Sequence, residues 1–380
     1  MDFSLTEEQK IIKKTASEFA KNELSEGVID RDQKKIWPKE QIEMLSDMGF
    51  MGMMVDPAWG GGGFDTVSYA IVMEEIAKVD AACSVVLSVN NSLVCYLLEK
   101  FGSDFIKDKY LKVLASGQKL GAFSLSEPQS GSDASNMNTV ALKDGTDYVI
   151  SGTKNWVTNG INSHYVIVFA RTDREKLSKG ISCFLVEKNS EGFSSGKPED
   201  KLGIRASDTC ELYFDNVRVP SQNLIGNEGD GFKIALATLD GGRIGIASQA
   251  LGIAQAALEH SISYSKERVQ FKKPISANQG IQFKLADMAM GVNAARLMIY
   301  NAAWNKDNGY SFSNLASQAK VYASEVAMKS STSCVQIHGG YGYIVETGVE
   351  RLMRDAKITQ IYEGTSEIQR VVIARHLLKD

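Results

Sequence analysis

The segment Ile361-Tyr362-Glu363-Gly364-Thr365-Ser366-Glu367-Ile368-Gln369 joins a carboxylate to a glycine and two hydroxyl residues. Glycine lets a backbone pass close to a ligand, and Thr-Ser suits the cap of a following helix. That arrangement would hold Glu363 at a helix entrance, facing a pocket. A carboxylate removed from water binds its proton more tightly and can act as a general base near neutral pH. By itself, a solvent-exposed glutamate is the commoner reading, and the remaining segments have to decide between the two.

Few other residues compete for a chemical role. Four histidines (His164, His260, His338, His376) lack metal-ligand spacing, so no metal site is expected. Five cysteines (Cys83, Cys95, Cys183, Cys210, Cys334) form no CxxC pair and read as reduced, buried small hydrophobes. The run Gly60-Gly61-Gly62-Gly63 lacks the Lys-Ser/Thr of a P-loop and reads as a turn. In Phe123-Ser124-Leu125-Ser126-Glu127-Pro128-Gln129-Ser130-Gly131-Ser132-Asp133, strand alternation would present an aromatic wall and a hydroxyl to one face. Gly131 and Ser132 could then offer an N–H and a hydroxyl to an anion, although an ordinary turn is the plainer reading. Trp156 and Thr158, two residues apart on a strand, would share a face, and a core tryptophan is again the plainer reading. Asp240 and Arg243 flank two glycines on a helix whose small residues leave room for a slender ligand; a solvated ion pair explains them equally.

Together these segments resemble the acyl-CoA dehydrogenases, flavoenzymes that desaturate acyl thioesters. The resemblance covers nearly the whole chain and is most specific from Arg354 to Arg370. It implies that Glu363 removes the pro-R α-proton of an acyl-CoA while a β-hydride moves to N5 of FAD. It further implies that the thioester carbonyl is bound by the Glu363 N–H and a ribityl hydroxyl. Phe123, Leu125 and Ser126 would line the flavin, with Gly131 and Ser132 on its pyrophosphate side and Ser132 also near the CoA. Trp156 would pack against the isoalloxazine and Thr158 would bond near N5. Arg268, Phe271 and Gln279 would reach the FAD of a neighbouring subunit, with Gln336 and Gly340 at the adenine side; Thr365 and Glu367 would complete the site. Asp240, Arg243 and Gly364 would meet the substrate. Two departures stand out: Gln129-Ser130 replaces the family's usual Gly-Ala, and Phe271-Lys272-Lys273-Pro274 replaces Phe-Gly-x-Pro, which questions the turn at Lys272.

Gly242 occupies the position where some branches carry the catalytic carboxylate, which leaves Glu363 as the base. No Lys or Arg lies between Asp80 and Glu99, so a decarboxylating role on glutaryl-CoA is not expected. Ser88–Leu93 and Arg243–Gly252 are similar to the short-chain, butyryl-CoA branch. Reduced FAD would pass electrons to an electron-transferring flavoprotein. Other chain lengths or branched acyl groups, an acyl-CoA oxidase and a catalytically silent binding protein of the same fold are the alternatives. Oxidases usually carry a further C-terminal helical domain, and this sequence stops soon after Glu363. In the reverse direction the site could serve as a crotonyl-CoA reductase.

The elements that must position these residues fall into three stretches. Helical periodicity opens the chain, with a Thr6–Gln9 capping box and Leu5, Ile12, Ala16, Phe19 and Ala20 on one face. Pro38 suits the first turn of a second helix that Gly49 can end. The uncharged stretch Ala81–Leu98 reads as one buried helix. Short β-branched runs around Tyr148, Tyr165, Ile181 and Glu211 then indicate an antiparallel β domain. Helices return near Ile244–Arg268, Gln279–Asn305 and Ser313–His338. The fold class is therefore α+β: an N-terminal helical domain (1–120), a middle antiparallel β domain (121–228) and a C-terminal four-helix-type bundle (229–380). The resemblance implies a homotetramer.

At 380 residues and a formal charge of −4, with both signs mixed, the chain is unsuited to nucleic acid as its main partner. No apolar leader opens it and no run matches the roughly 20 residues of a membrane span. A cytoplasmic location, or an organelle matrix after removal of a targeting segment, is the expectation.

Overall fold

The computed structural model describes residues 4–378. Helix α1 (Glu7–Phe19) begins at the capping box read from the sequence, with Ile12, Ala16 and Phe19 buried. The next helix, α2 (Val28–Lys34), has no apolar stripe and escaped the periodicity argument. It is held by charge: buried Arg31 bonds Asp80 at 3.0 Å, and buried Asp32 bonds Arg354 at 2.6 Å. Pro38 therefore caps the third helix, α3 (Lys39–Asp47), and Gly49 follows it in the left-handed region. Helices α4 (Thr66–Ala77), α5 (Ala81–Ser88), α6 (Tyr96–Phe101), α7 (Asp104–Ile106) and α8 (Lys112–Ala115) complete this domain.

The apolar helix runs from Ala81 to Phe101 but is not uniform, because its centre, Val89–Cys95, is π-helical. By length and composition this stretch could cross a membrane, contrary to the sequence reading, yet 94% of its apolar window is packed inside the protein. Two asparagines explain how it is locked. Asn90 Nδ2 donates to the carbonyls of Met51 (2.8 Å) and Leu114 (3.0 Å), and its Oδ1 accepts from Gly121 N (3.0 Å). Asn91 similarly holds Phe50 O and Met53 N. Asn90 and Asn91 tie loops to the helix, whereas Ser88 faces Tyr69 of α4 and Gly245, and Leu93 faces Gly242.

The middle domain is an eight-stranded sheet: β1 (Gly121–Ser124), β2 (Val140–Asp144), β3 (Asp147–Thr158), β4 (Tyr165–Arg171), β5 (Ile181–Glu187), β6 (Phe193–Ser195), β7 (Thr209–Pro220) and β8 (Leu224–Ile225). The order is β6-β7-β3-β2-β4-β5-β8. It is mainly antiparallel, but β1 pairs with β4 in parallel, Gly121 opposite Tyr165. The β2–β3 hairpin between them in sequence lets the two strands run the same way.

The last domain contains α9 (Gly231–Glu267), a short hairpin of β9 (Val269–Gln270) and β10 (Lys273–Pro274), then α10 (Gln279–Asp307), α11 (Ser313–His338), α12 (Gly340–Tyr343), α13 (Val349–Ile358) and α14 (Ser366–Leu377). Helix α9 begins well before the expected Ile244. Glycine has weak helix propensity, but every residue from Gly241 to Ala254 is buried, so tertiary packing overrides it. Helix α13 is the junction of the three domains. Arg351 donates to Val79 O (2.8 Å), Arg354 reaches Asp32 and Leu202 O (3.1 Å), and Asp355 accepts from Ile204 N. Its C-terminus leads directly to Glu363.

Replacing Asn90 by Leu would keep the volume but leave two carbonyls and one N–H buried without partners. The expected loss is about 2–4 kcal/mol of stability, read as a fall in thermal midpoint by calorimetry.

Candidate active site

After α13 the chain turns sharply, with Thr359 Oγ1 donating to Ala356 O (2.7 Å) and Ser366 N to Gln360 O (3.0 Å). Glu363 and Gly364 both lie in the left-handed region, at φ 52° and 92°. For glutamate that conformation costs about 1–2 kcal/mol, so neighbouring groups must hold it. Lys320 of α11 donates to the carbonyls of Tyr362 (2.7 Å) and Gly364, and Gln369 Nε2 donates to those of Glu363 (3.2 Å) and Gly364 (3.1 Å). Thr365 then caps α14 by accepting from Ile368 N (3.3 Å), as its sequence position suggested.

The Glu363 side chain folds onto α9. A Cβ at Gly242 would stand 2.1 Å from Glu363 Oε2 and 2.8 Å from Leu93 Cδ2, so the absent side chain is what makes room for the carboxylate. Oε2 is buried and has no hydrogen-bond partner among the described residues. Burial raises the proton affinity of Glu363 well above the usual carboxylate range, and the cations of Lys320 and Arg243 oppose that shift without cancelling it. The group is a base that is neither exhausted by a salt bridge nor solvated.

Arg243 is 5% exposed, which removes the solvated-pair reading. Its Nη1 bonds Asp240 Oδ1 and Ser317 Oγ (3.2 Å), while Ser313 Oγ donates to Asp240 Oδ1 (2.8 Å). Three residues past Gly242, about 4.5 Å along α9, the space closes. A Cβ at Gly245 would lie 2.4 Å from the Tyr69 hydroxyl, which itself bonds Ser88 Oγ at 3.1 Å. The Tyr362 hydroxyl bonds Gln249 Oε1, whose Nε2 is anchored on Ala81 O (2.7 Å).

Half-buried Phe123 and Ser126 and buried Leu125 lie on and just past β1. A buried ion pair fixes that segment: Lys154 Nζ donates to Glu127 Oε1 (2.8 Å) and Leu125 O (3.1 Å). The Gln129-Ser130 departure is absorbed locally. Gln129 Nε2 donates to Glu127 Oε2 (2.7 Å), and buried Ser130 Oγ donates to Asp133 O (2.7 Å), leaving Gly131 and Ser132 exposed. Trp156 does not obey simple alternation. It sits at φ 59° in a β3 bulge between Lys154 and Val157, with 61% of its surface exposed; Thr158 is half-buried. The bulge aims the indole out of the sheet.

A second locus lies at the far end of α9 and α11. Arg268 and Gly340 help line a cavity of about 500 Å³ with Tyr264, His338 and Tyr341. His338 stacks on Tyr264 at 4.2 Å, and the Arg268 guanidinium lies 5.6 Å from the Tyr341 ring. Gln336, Gln279 and Phe271 are exposed and are not in that lining, and Phe271 is 93% exposed. The missing glycine at Lys272 does not abolish the turn: Phe271 and Lys272 adopt φ 51° and 65° in a two-residue hairpin loop. Glu367 is exposed in the first turn of α14.

The acyl-CoA dehydrogenase N-terminal, middle and C-terminal domain families match residues 6–118, 122–217 and 229–378. The chain is 49% identical over 384 residues to the short-chain specific acyl-CoA dehydrogenase of Megasphaera elsdenii, covering 100% of both. The chain belongs to the acyl-CoA dehydrogenase family. Within that family its backbone superposes on butyryl-CoA dehydrogenase from Megasphaera elsdenii with a TM-score of 0.98, at 48% identity and full coverage of both chains. It superposes equally fully, at TM-score 0.99 and 48% identity, on a chain solved in work on the electron transferring flavoprotein of Acidaminococcus fermentans and flavin-based electron bifurcation. Acyl-CoA dehydrogenases are flavoproteins, and the residues here suit a dinucleotide. Open space surrounds Gly131, Gly339 and Gly340 where a Cβ would stand, and an outward indole and an arginine are available.

Lys320, Gln369, Tyr69 and Gln249 were not singled out from sequence. For Lys320 a signal existed. It shares the buried face of α11 with Ala316, Ala323 and Ala327, a lysine where the helix demands a small apolar residue.

Gly242→Ala would push the Glu363 carboxylate aside. The expected outcome is a fall in turnover of about 10²-fold with an unchanged circular dichroism spectrum.

Proposed function

We propose that this acyl-CoA dehydrogenase carries out the α,β-dehydrogenation of a short-chain acyl-CoA to the trans-2-enoyl-CoA. The observation that carries this is the buried, unpartnered carboxylate oxygen of Glu363. Glu363 accepts the α-proton, and its backbone N–H, in a loop whose carbonyls are clamped by Lys320 and Gln369, bonds the thioester oxygen. Preorganised donors of this kind stabilise an enolate as its charge develops. FAD, when bound, supplies the hydride acceptor. Phe123, Leu125, Ser126, Gly131, Ser132, Trp156 and Thr158 hold it from one chain, with Thr365 and Glu367. Arg268, Phe271, Gln279, Gln336 and Gly340 hold it from a neighbour. Ser132, Asp240, Arg243 and Gly364 orient the substrate. The closure by Tyr69 at Gly245 and by the Tyr362–Gln249 pair further along α9 supports a short acyl group.

The second chain follows from the exposed positions of Arg268 and Phe271 and from α10. Phe283, Met290, Leu297 and Trp304 are all exposed and recur every seventh residue, a stripe suited to helix–helix contact between copies and to the family's homotetramer. An electron-transferring flavoprotein is the proposed acceptor, and the cytoplasm or an organelle matrix the proposed compartment, in keeping with five free, buried cysteines.

Anaerobic mixing with butyryl-CoA should bleach the visible flavin absorbance of the wild type, with Glu363→Gln slower by at least about 10²-fold. Equal rates would remove Glu363 as the base, and bleaching by octanoyl-CoA but not butyryl-CoA would sink the short-chain assignment. The base must be ionised and its pKa is raised, so turnover should increase with pH across an acidic limb lying above the ordinary glutamate value of about 4.3.

A further inference from the structure

Lys320 is 1% exposed, and it is not among the residues that touch flavin or thioester in the reading above. An ammonium buried on an alanine face is expensive unless its protons are used. Here they are spent on backbone, on the carbonyls immediately before and after Glu363. Glu363 and Gly364 both occupy the left-handed region between those two anchors. Gln369 fastens the Glu363 carbonyl from α14, so each of the three carbonyls of Tyr362-Glu363-Gly364 accepts from a side-chain donor.

We propose that Lys320 is a positioning residue for the dehydrogenation: by gripping both carbonyls that flank Glu363 it fixes the base and its backbone N–H against the substrate. The proposal rests on Glu363 being the base. Its charge has a second effect. Facing Glu363 are Lys320 from α11, Arg243 from α9, Tyr69 from α4 and the adjacent Tyr362. Of these only Lys320 and Arg243 favour the carboxylate form. Arg243 is already committed to Asp240 and Ser317 through Nη1. Facing Lys320 are Glu363, which stabilises its charge, and Arg243, which opposes it. Loss of the lysine cation therefore raises the proton affinity of the base, and loss of its grip lets the strained loop relax.

The test uses the flavin-loaded enzyme carrying Lys320→Met or Lys320→Gln, with Glu363→Gln alongside. Thermal midpoint and flavin content report folding. Lys320→Gln keeps a donor and serves if the Met variant fails to fold. The expected result is a fall in the rate of flavin reduction at saturating butyryl-CoA of at least about tenfold, with little change in KM. The acidic limb of that rate should also move to higher pH by about one unit or more, because an opposite charge is lost from a buried carboxylate. A residue that merely stabilised the fold would lower the thermal midpoint and leave the pH profile in place. A folded Lys320→Gln enzyme with wild-type rate and wild-type pH profile overturns the proposal. Wild-type reduction by Glu363→Gln would overturn the base reading and the proposal with it, whereas a slow Glu363→Gln beside a fast Lys320→Gln overturns the proposal alone.

Discussion

The structure turns on one carboxylate kept out of water. Glu363 Oε2 has neither hydrogen-bond partner nor ion pair among the described residues, and such a group ordinarily takes up a proton to escape the cost of desolvation. Two cations limit that escape without quenching it. Lys320 spends its hydrogen bonds on backbone and Arg243 spends its own on Asp240 and Ser317. Each contributes field and not a direct partner, which leaves an oxygen free for an external proton.

Much of the architecture follows from placing that oxygen. Helix α9 must run past the site with no side chain at Gly242 or Gly245, and its burial on all sides makes so many glycines tolerable. Helix α13, pinned by Arg351, Arg354 and Asp355 to the other two domains, delivers the chain to the left-handed pair Glu363-Gly364. Domain packing and base geometry therefore share one element. The strain at Glu363 is local, but the donors that over-determine it come from α11 and α14, so three helices hold one peptide unit.

The sequence made the order of helices, sheet and bundle legible because each stretch has a consistent period. It made Glu363, Thr365 and Gly242 legible because a long specific segment surrounds them. It concealed α2, whose stability comes from ion pairs with Asp80 and Arg354 distant in the chain. It hid the early start of α9, where packing outweighs propensity. The bulge at Trp156 broke the alternation argument while still leaving the indole and Thr158 clear of the core. At Lys272 a turn that glycine usually serves is kept by lysine, a substitution that local chemistry disfavours. Arg243 was open to two readings because a three-residue spacing to Asp240 is the same on a buried helix as on a solvated one. Lys320 went unnoticed because its meaning depends on which carbonyls a fold brings to it.

The most direct test of the account is whether Glu363 handles the α-proton itself, apart from any hydride step. Wash-in of deuterium at the α-carbon of butyryl-CoA in D₂O can be followed by proton NMR with wild type and with Glu363→Gln. The account predicts exchange by the wild type, faster as pH rises through the raised pKa of Glu363, and at least about 10²-fold slower exchange by the variant. Exchange at the same rate in both proteins would contradict it.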